Sequence, residues 1–284
     1  MVETLGQYKI LDRIGAGTLG DVYRARDTRL GRTVAVKLPG ADFQSDRVRV
    51  DALSHDARIA SVLSHPNIAT LYEIGEEDGR LFLVFEFVPG EPLKRVIAGR
   101  PLNMRRAVDL ATQMADALAE AHAAEVVHGG LTPDTVMITP KGNAKILDFG
   151  FVRWKKSPTP DGESDHRTDI EALGALLFEM LTGRPPSEAA PRLGASMPGE
   201  LDEIVGKALG AYAEGGYEAA ATLAAELRSI ATVLDVRAAS ADPVRAAPVR
   251  RDRKSRTWIG AAIVVVVAVF AALAALAALA ALRR

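Results

Sequence analysis

The spacing of apolar residues changes near Gly90, and this change most limits what the chain can fold into. Before Gly90, apolar and polar residues alternate in short runs such as YKILDRIG and LFLVFEFV, which predicts β-strands. After it, apolar residues recur at helical spacing over 107–121 and predict a long amphipathic helix. A strand-rich part followed by a helical part predicts an α+β fold with two lobes.

The same patterns place further elements along the chain. Three short antiparallel strands are predicted at YKILDRIG, DVYRARD and TVAVKL, a helix at about 46–63, and two more strands at IATLYEIG and LFLVFEFV. The runs TVMIT and AKILDF predict a strand pair around the turn Lys141-Gly142-Asn143. Later helices are predicted at 168–182, 201–210 and 218–234.

The formal net charge of −1 conceals two regions of opposite charge. Residues 235–284 hold nine basic and three acidic side chains, or +6, and residues 1–234 hold 26 basic and 33 acidic ones, or −7. The chain has no cysteine, which excludes a disulfide framework and any Cys-ligated zinc or iron–sulfur site. A length of 284 residues is enough for one or two domains with sizeable cores.

A run of 24 uncharged residues, Ile259–Leu282, predicts a single C-terminal transmembrane helix over 257–282. As a helix the run would be about 36 Å long, which exceeds a hydrocarbon core of about 30 Å. Trp258 lies where an interfacial aromatic residue is expected. The alternative is an Ala-rich helix packed inside a soluble protein, but the run has no polar face.

Residues 235–256 are rich in Ala, Pro and Arg without apolar periodicity, which predicts a basic, flexible juxtamembrane linker. The segment 250–256 is strongly basic and is expected to lie against anionic lipid. The N-terminal sequence MVETLGQYKI does not have the pattern of a signal peptide. We therefore expect a single-pass protein of the cell membrane with its large domain in the cytoplasm, and no nucleic-acid partner.

A glycine-rich sequence, Gly15-Ala16-Gly17-Thr18-Leu19-Gly20-Asp21-Val22, joins the first two predicted strands. Dinucleotide-binding folds use similar glycines but continue into a helix, whereas DVYRARD continues as a strand. A strand-loop-strand arrangement brings backbone N–H groups close to a nucleotide's phosphates because no Cβ intervenes. A glycine-rich hairpin turn without a ligand is the alternative.

On the third predicted strand, Ala35 and Lys37 share one face because side chains alternate with a period of two. A small residue beside a lysine suits a flat base and a neighbouring phosphate. A single lysine on a strand is more often a solvated surface residue. Ala35 and Lys37 therefore indicate a nucleotide site only together with the glycine-rich sequence.

Taken together, these motifs resemble those of the eukaryotic-like Ser/Thr protein kinases of bacteria. The resemblance covers about 8–234 and divides it into an N-lobe of about 8–87 and a C-lobe of about 88–234. It rests on motifs in the family's order: GAGTLGDVYRARD, VAVK, LSHPNI, LFLVFEFVPGEPL, AHAAEVVHGGLTPDTVMI, AKILDFG and RTDIEALGALLFEMLTGRPP.

The resemblance implies a site for ATP and magnesium. It assigns Asp148, of the sequence Asp148-Phe149-Gly150, to the metal, and Asp169 to bracing the catalytic loop. The residues that it assigns to ATP are Gly15, Ala16, Gly17, Thr18, Gly20, Val22, Ala35, Lys37, Glu86 and Val88.

The catalytic loop departs from the family. The family's His-Arg-Asp-Leu-Lys-Pro-x-Asn corresponds here to His128-Gly129-Gly130-Leu131-Thr132-Pro133-Asp134-Thr135. Gly130 replaces the aspartate that accepts the substrate proton, and Thr132 replaces the lysine that steadies the phosphate. Thr135 replaces an asparagine that holds the second magnesium, so the magnesium site is expected to be weakened.

Other positions also depart from the family's sequence. The glutamate that pairs with the family's lysine corresponds to Asp56, which is one methylene shorter, so the pair requires the helix to move inward. The family's Ala-Pro-Glu sequence is missing, and so is its arginine partner. The candidates to replace the lost base are Asp134, Glu163, Asp165 and His166.

We therefore expect a membrane-anchored, ATP-binding pseudokinase that acts in signalling as a scaffold or switch for a cytoplasmic protein partner. One alternative is an active but slow Ser/Thr kinase with an unconventional catalytic base. Another is an interaction domain that binds no nucleotide.

Overall fold

The computed structural model describes residues 4–17, 19–151, 165–187, 192–194, 197–210 and 216–241 of the chain. The chain divides into two compact units, Met1–Val236 and Arg237–Arg284. The first contains the fold described below, and of the second only the end of one helix is described.

The N-terminal part is a six-stranded antiparallel sheet with the order β1-β2-β3-β4-β6-β5. Its strands are Thr4–Leu5 (β1), Tyr8–Ala16 (β2), Gly20–Asp27 (β3), Arg32–Pro39 (β4), Leu71–Glu77 (β5) and Arg80–Glu86 (β6). A short helix, Ala41–Gln44 (α1), and a longer one, Arg47–Ala60 (α2), follow β4. The carboxylate of Asp46 accepts the backbone N–H of Arg49 and so caps α2.

The alternation predicted for the strands is confirmed in β4. Val34 and Val36 are buried on one face of the sheet with Tyr8 and Phe82, and Ala35 is buried on the opposite face. This second face packs against α2, so both faces of the sheet are covered near β4. Lys37 shares the face of Ala35, which places a lysine at the edge of an apolar core.

The C-terminal part is helical around one large core and carries a small antiparallel sheet. Its helices are Leu93–Ile97 (α3), Met104–Ala123 (α4), His166–Thr182 (α5), Gly199–Ala208 (α6) and Ala220–Ala241 (α7). The sheet has the order β7-β8-β9, formed by Glu91–Pro92 (β7), Val136–Ile138 (β8) and Ala144–Ile146 (β9). The apolar stripe predicted over 107–121 is the buried face of α4.

Helix α7 ends later than predicted. It continues to Ala241, whereas the sequence predicts its end near 234 and a flexible linker from 235. The segment up to 241 contains no proline or glycine, and Asp235 accepts two hydrogen bonds from the guanidinium of Arg105 on α4, at 2.7 and 3.2 Å. The start of any linker therefore moves beyond Ala241.

Of the helices within the described residues, none is both long and apolar enough to cross a membrane. The predicted span 257–282 and the basic segment 250–256 lie outside the described residues.

Alkaline pH should destabilise the fold through Tyr8. Its buried phenol donates to the carboxylate of Glu73, and burial together with that carboxylate raises the pKa of Tyr8 from 10.0 to about 12. The folded state therefore holds the proton more tightly than the unfolded state. This stabilisation is complete below pH 10 and is lost as the pH rises towards 12.

The measurement is the thermal midpoint of the full chain across that pH range. Tyr8→Phe should flatten the decline of the midpoint, and Tyr72→Phe, on an exposed ring, should leave the decline unchanged. Part of the decline should remain in Tyr8→Phe, because burial also raises the pKa of Tyr217. Equal slopes for the two variants would contradict the role of Tyr8.

Candidate functional site

A cavity of about 610 Å³ lies between the six-stranded sheet and the helical part. Most lining residues come from β2, β3, β4 and β6, the segment after β6, the loop before β8, β8 itself and the segment after β9. Sequence-predicted residues in its wall are Gly15, Ala16, Gly17, Val22, Ala35, Lys37, Glu86, Val88, Gly130, Thr135 and Asp148. The fold thus brings together residues that are more than a hundred positions apart in the chain.

The glycine-rich turn between β2 and β3 forms one wall of the cavity. The backbone N–H of Gly17 donates to the carbonyl of Gly20 at 2.7 Å, which closes the turn. Gly20 has φ of 152°, and a Cβ there would lie 2.1 Å from the carbonyl oxygen of Leu38. Gly20 therefore shapes the turn from outside the cavity wall, and Thr18 lies outside the described residues.

Apolar side chains line the cavity from both parts of the fold. Val22 and Ala35 line it from the sheet, and Met137 and Leu147 line it from the helical part. Phe85, paired with Ala35 in the ladder of β4 and β6, also lines it. An apolar slot formed by these side chains beside a backbone segment, residues 86–88, suits an aromatic base such as adenine.

Lys37 and Asp148 form an ion pair in the wall of the same cavity. Each side chain is only 9% exposed, so the pair is largely removed from water. Asp148 has a positive φ of 63°, a backbone conformation that is uncommon for a residue with a side chain. Such conformations are concentrated at functional sites, where the surrounding structure holds them.

Asp56, the predicted partner of Lys37, is buried in α2. Among the ion pairs between described residues, however, Lys37 is paired with Asp148. The pairing of Lys37 with Asp56 therefore stays a prediction.

Phe151 occupies the space between α2 and the sheet. It is 1% exposed and packs with the apolar residues of α2 and β6, and its ring meets that of Phe85 edge-on at 5.6 Å. This contact anchors the chain just after Asp148 to the N-terminal part. The sequence analysis did not identify Phe151, because its only signal was an apolar residue next to Asp148-Phe149-Gly150.

A buried network fixes the loop at 128–135. The carboxylate of Asp169, on α5, accepts the backbone N–H groups of His128 and Gly129 at 2.8 and 2.9 Å. It also accepts Nε2–H of His122 at 2.9 Å. The ring of His128 meets that of Phe149 edge-on at 4.9 Å and, through Nε2, donates to the carbonyl of Leu147 at 2.9 Å.

Burial lowers the pKa of His128, so its imidazole is neutral at physiological pH. This agrees with its hydrogen bonds, because Nε2 donates to a carbonyl and Nδ1 has no partner among the described residues. His128 thus joins the loop at 128–135 to the chain at 147–149 without carrying charge.

The profile of the protein kinase domain matches residues 8–163, which is more than half of the chain. The chain belongs to the protein kinase family. Serine/threonine-protein kinase PrkC of Bacillus subtilis is 33% identical over 261 residues, covering 79% of this chain and 40% of PrkC. Serine/threonine-protein kinase PknA of Mycobacterium tuberculosis is 35% identical over 207 residues, covering 64% of this chain and 48% of PknA.

The fold agrees with this membership. The crystal structure of the Mycobacterium tuberculosis PknI kinase domain matches with a TM-score of 0.68 at 22% identity, over 81% of this chain and 99% of that chain. The predicted two-lobed kinase-like fold is therefore confirmed for the sheet and the helical part. This chain spans less than half of the length of PrkC and PknA.

In a protein kinase the catalytic aspartate would stand at Gly130, which lines the cavity without a side chain. The hydroxyl of Thr135, where the family has a metal-binding asparagine, donates to the carbonyl of Thr132 at 3.0 Å and accepts its N–H at 2.9 Å. The proton of this hydroxyl and one of its two lone pairs are therefore engaged within the loop itself.

The candidate replacement bases lie in different settings. Asp134 lines the cavity, and its carboxylate is paired with Lys94 at 2.9 Å. Asp165 accepts the backbone N–H of Arg167 and caps α5, and the ring of His166 stacks on that of His122 at 4.2 Å. Glu163 lies outside the described residues.

The cavity offers the features that a nucleotide base requires. The apolar slot and the backbone at 86–88 are in place, with a lysine beside them. Within the described residues, no group of three His, Asp or Glu side chains is close enough together to hold a metal ion by itself. Sequence reasoning also missed Lys145, whose ammonium pairs with the carboxylate of Glu86 at the cavity wall.

Proposed function

We propose that this protein is a membrane-anchored pseudokinase that binds ATP and acts as a scaffold or switch for a cytoplasmic protein. Its magnesium site would be weakened, and transfer of phosphate would not be its function. The observation that carries this proposal is Gly130: the wall of the nucleotide cavity has no carboxylate where the family places the proton acceptor.

The rest of the catalytic loop supports the same proposal. A positioned general base contributes typically about 10²–10⁴ in rate, and glycine supplies none. Thr132 lacks the positive charge of the family's lysine, and the hydroxyl of Thr135 is engaged with the loop backbone. These three changes remove the proton acceptor, the charge that steadies the transferring phosphate and a metal ligand.

The loop is nevertheless held by buried contacts, so the changes in its sequence have not removed the structure of the site. Asp169 holds its backbone, and His128 links it to Phe149. The glycine-rich turn, Ala35 and Lys37 are assembled around the apolar slot. A nucleotide bound there would contact both lobes and so could stabilise one arrangement of them for a partner.

Asp134 supports a second candidate function, a slow Ser/Thr kinase with an unconventional base. Its carboxylate lines the same cavity, four residues beyond Gly130. In its present position it is an exposed ion-pair partner of Lys94, so serving as a base would require it to leave that lysine.

ATP should raise the thermal midpoint of the full chain. Ligand at about 100 times its dissociation constant stabilises the folded state by about 2.7 kcal/mol. For a domain of this size that corresponds to a midpoint increase of roughly 5–10 °C. Inorganic triphosphate, which lacks a base, should give a much smaller increase. If millimolar ATP leaves the midpoint unchanged, the protein is a nucleotide-free interaction domain and the nucleotide role is wrong.

The chain should also remain in membranes through an alkaline carbonate wash. Val267→Lys together with Phe270→Lys should release it, because each lysine at the centre of a spanning helix costs about 2.5–3.5 kcal/mol. Val236→Lys, at an exposed position before the predicted span, is the matched control and should not release it. Release of the unsubstituted chain by the wash would contradict the anchor.

A further inference from the structure

Each carboxylate among the described residues that line the cavity already has a lysine partner. Asp148 pairs with Lys37, Asp134 with Lys94, and Glu86 with Lys145. Magnesium is usually held by one or two protein carboxylates together with phosphate oxygens and water. A divalent cation in this cavity would therefore have to separate at least one of these pairs.

The pair of Lys37 and Asp148 resists such a separation because it is buried. A charge in that position loses its solvation and depends on its partner for compensation. The ion pair shown for Lys37 is the one with Asp148. Moving a cation onto Asp148 would therefore break this pair.

The family's second metal ligand is also missing from the cavity wall. Where the family has an asparagine, Thr135 has a hydroxyl that already donates to and accepts from the backbone of Thr132. Coordination of a cation by this hydroxyl would compete with both hydrogen bonds. Among the described lining residues a cation would then meet the carboxylates of Asp148, Asp134 and Glu86, each of which is paired with a lysine.

We propose that the cavity binds an adenine nucleotide without a divalent cation, and that Lys37 takes the place of the metal as the counter-ion of Asp148. This inference rests on the proposed nucleotide-binding function and specifies its ligand as the metal-free nucleotide. Binding then depends on the apolar slot around Ala35 and on the glycine-rich turn, both of which are independent of the cation.

The test compares two titrations of the full chain with ATP by calorimetry, one in excess EDTA and one in excess magnesium. The two dissociation constants should agree within about threefold, or magnesium should weaken binding, whereas a tenfold change would correspond to about 1.4 kcal/mol. Tightening by tenfold or more in magnesium would overturn the inference. Absence of binding in both titrations would instead overturn the proposed nucleotide function.

A gain-of-ligand variant makes the comparison sharper. Thr135→Asn adds an amide oxygen at the position where the family has a metal ligand, so magnesium should now tighten ATP binding by tenfold or more. The matched control is Thr139→Asn: the hydroxyl of Thr139 also donates to and accepts from one residue, Asn143, at 3.1 Å, but outside the cavity. This control should behave as the unsubstituted chain. The unsubstituted titrations decide the inference even if the variant fails to fold.

Discussion

Replacing Asp169 with alanine should lower the free energy of unfolding by about 3–5 kcal/mol, since it leaves buried partners without their acceptor. The side chain is fully buried and accepts hydrogen bonds from the backbone of His128 and Gly129 and from Nε2 of His122. The N–H of His128 is buried, and the donors of Gly129 and His122 are partly buried, so each would lose its acceptor in a largely water-excluded position. The loop at 128–135 should consequently lose its fixed position.

The measurement is the thermal midpoint of the full chain, which should fall by roughly 10 °C at about 2–4 °C per kcal/mol. Asp12→Ala is the matched control, because Asp12 has a single arginine partner, Arg24, and both side chains are nearly half exposed. Such surface pairs contribute about 0–1 kcal/mol, so the control should fall by no more than a few degrees. Similar midpoints for the two variants would contradict the bracing role of Asp169.

Local patterns were sufficient to predict most of the fold. The alternation in TVAVKL identifies the buried faces of β4, and helical spacing identifies the buried face of α4. Asp46 is a common type of N-cap residue, and α2 begins directly after it. These features depend on neighbours within a few positions, which the sequence displays directly.

Features that depend on distant parts of the chain were not predictable in the same way. Lys37 and Asp148 are 111 positions apart, and only the fold shows that they pair with each other. The burial of Phe151 between α2 and the sheet is likewise a tertiary contact. Helix α7 extends past its predicted end because Asp235 meets Arg105 of α4, a residue 130 positions away.

In the candidate site, too, some features were predictable from the sequence and others were not. The glycine-rich turn and Ala35 could be predicted as cavity residues from the strand pattern and the resemblance. The hydrogen bonds between the hydroxyl of Thr135 and the backbone of Thr132 could not be predicted, because a threonine at that position has several rotamers available. The identity of the residue was visible in the sequence, whereas its engagement within the loop required the structure.

Restoring the three changed residues of the loop should create phosphotransfer that the natural chain lacks. Gly130→Asp, Thr132→Lys and Thr135→Asn together would return the proton acceptor, the phosphate-binding charge and the metal ligand. The backbone is compatible with Gly130→Asp because Gly130 does not have a positive φ. The glycine of this loop that does is Gly129, with φ of 72°. We expect the restored variant to exceed the natural chain by about 10² or more in rate, the contribution of a positioned base.

A matched variant tests the second candidate function. If Asp134 acts as a base, Asp134→Asn should abolish whatever transfer the natural chain shows and leave ATP binding intact. Under the pseudokinase proposal this variant changes nothing in the transfer assay, because there is no transfer to lose. Lys94→Met removes the lysine that pairs with Asp134 and so leaves this carboxylate without that partner.

The most direct measurement is transfer of radiolabelled phosphate from ATP to the full chain itself and to a generic protein substrate, with ATP binding measured on the same sample. We predict that the natural chain binds ATP and transfers no more phosphate than its Lys37→Met variant, while the restored variant transfers measurably. Transfer by the natural chain that Lys37→Met abolishes would contradict the pseudokinase proposal.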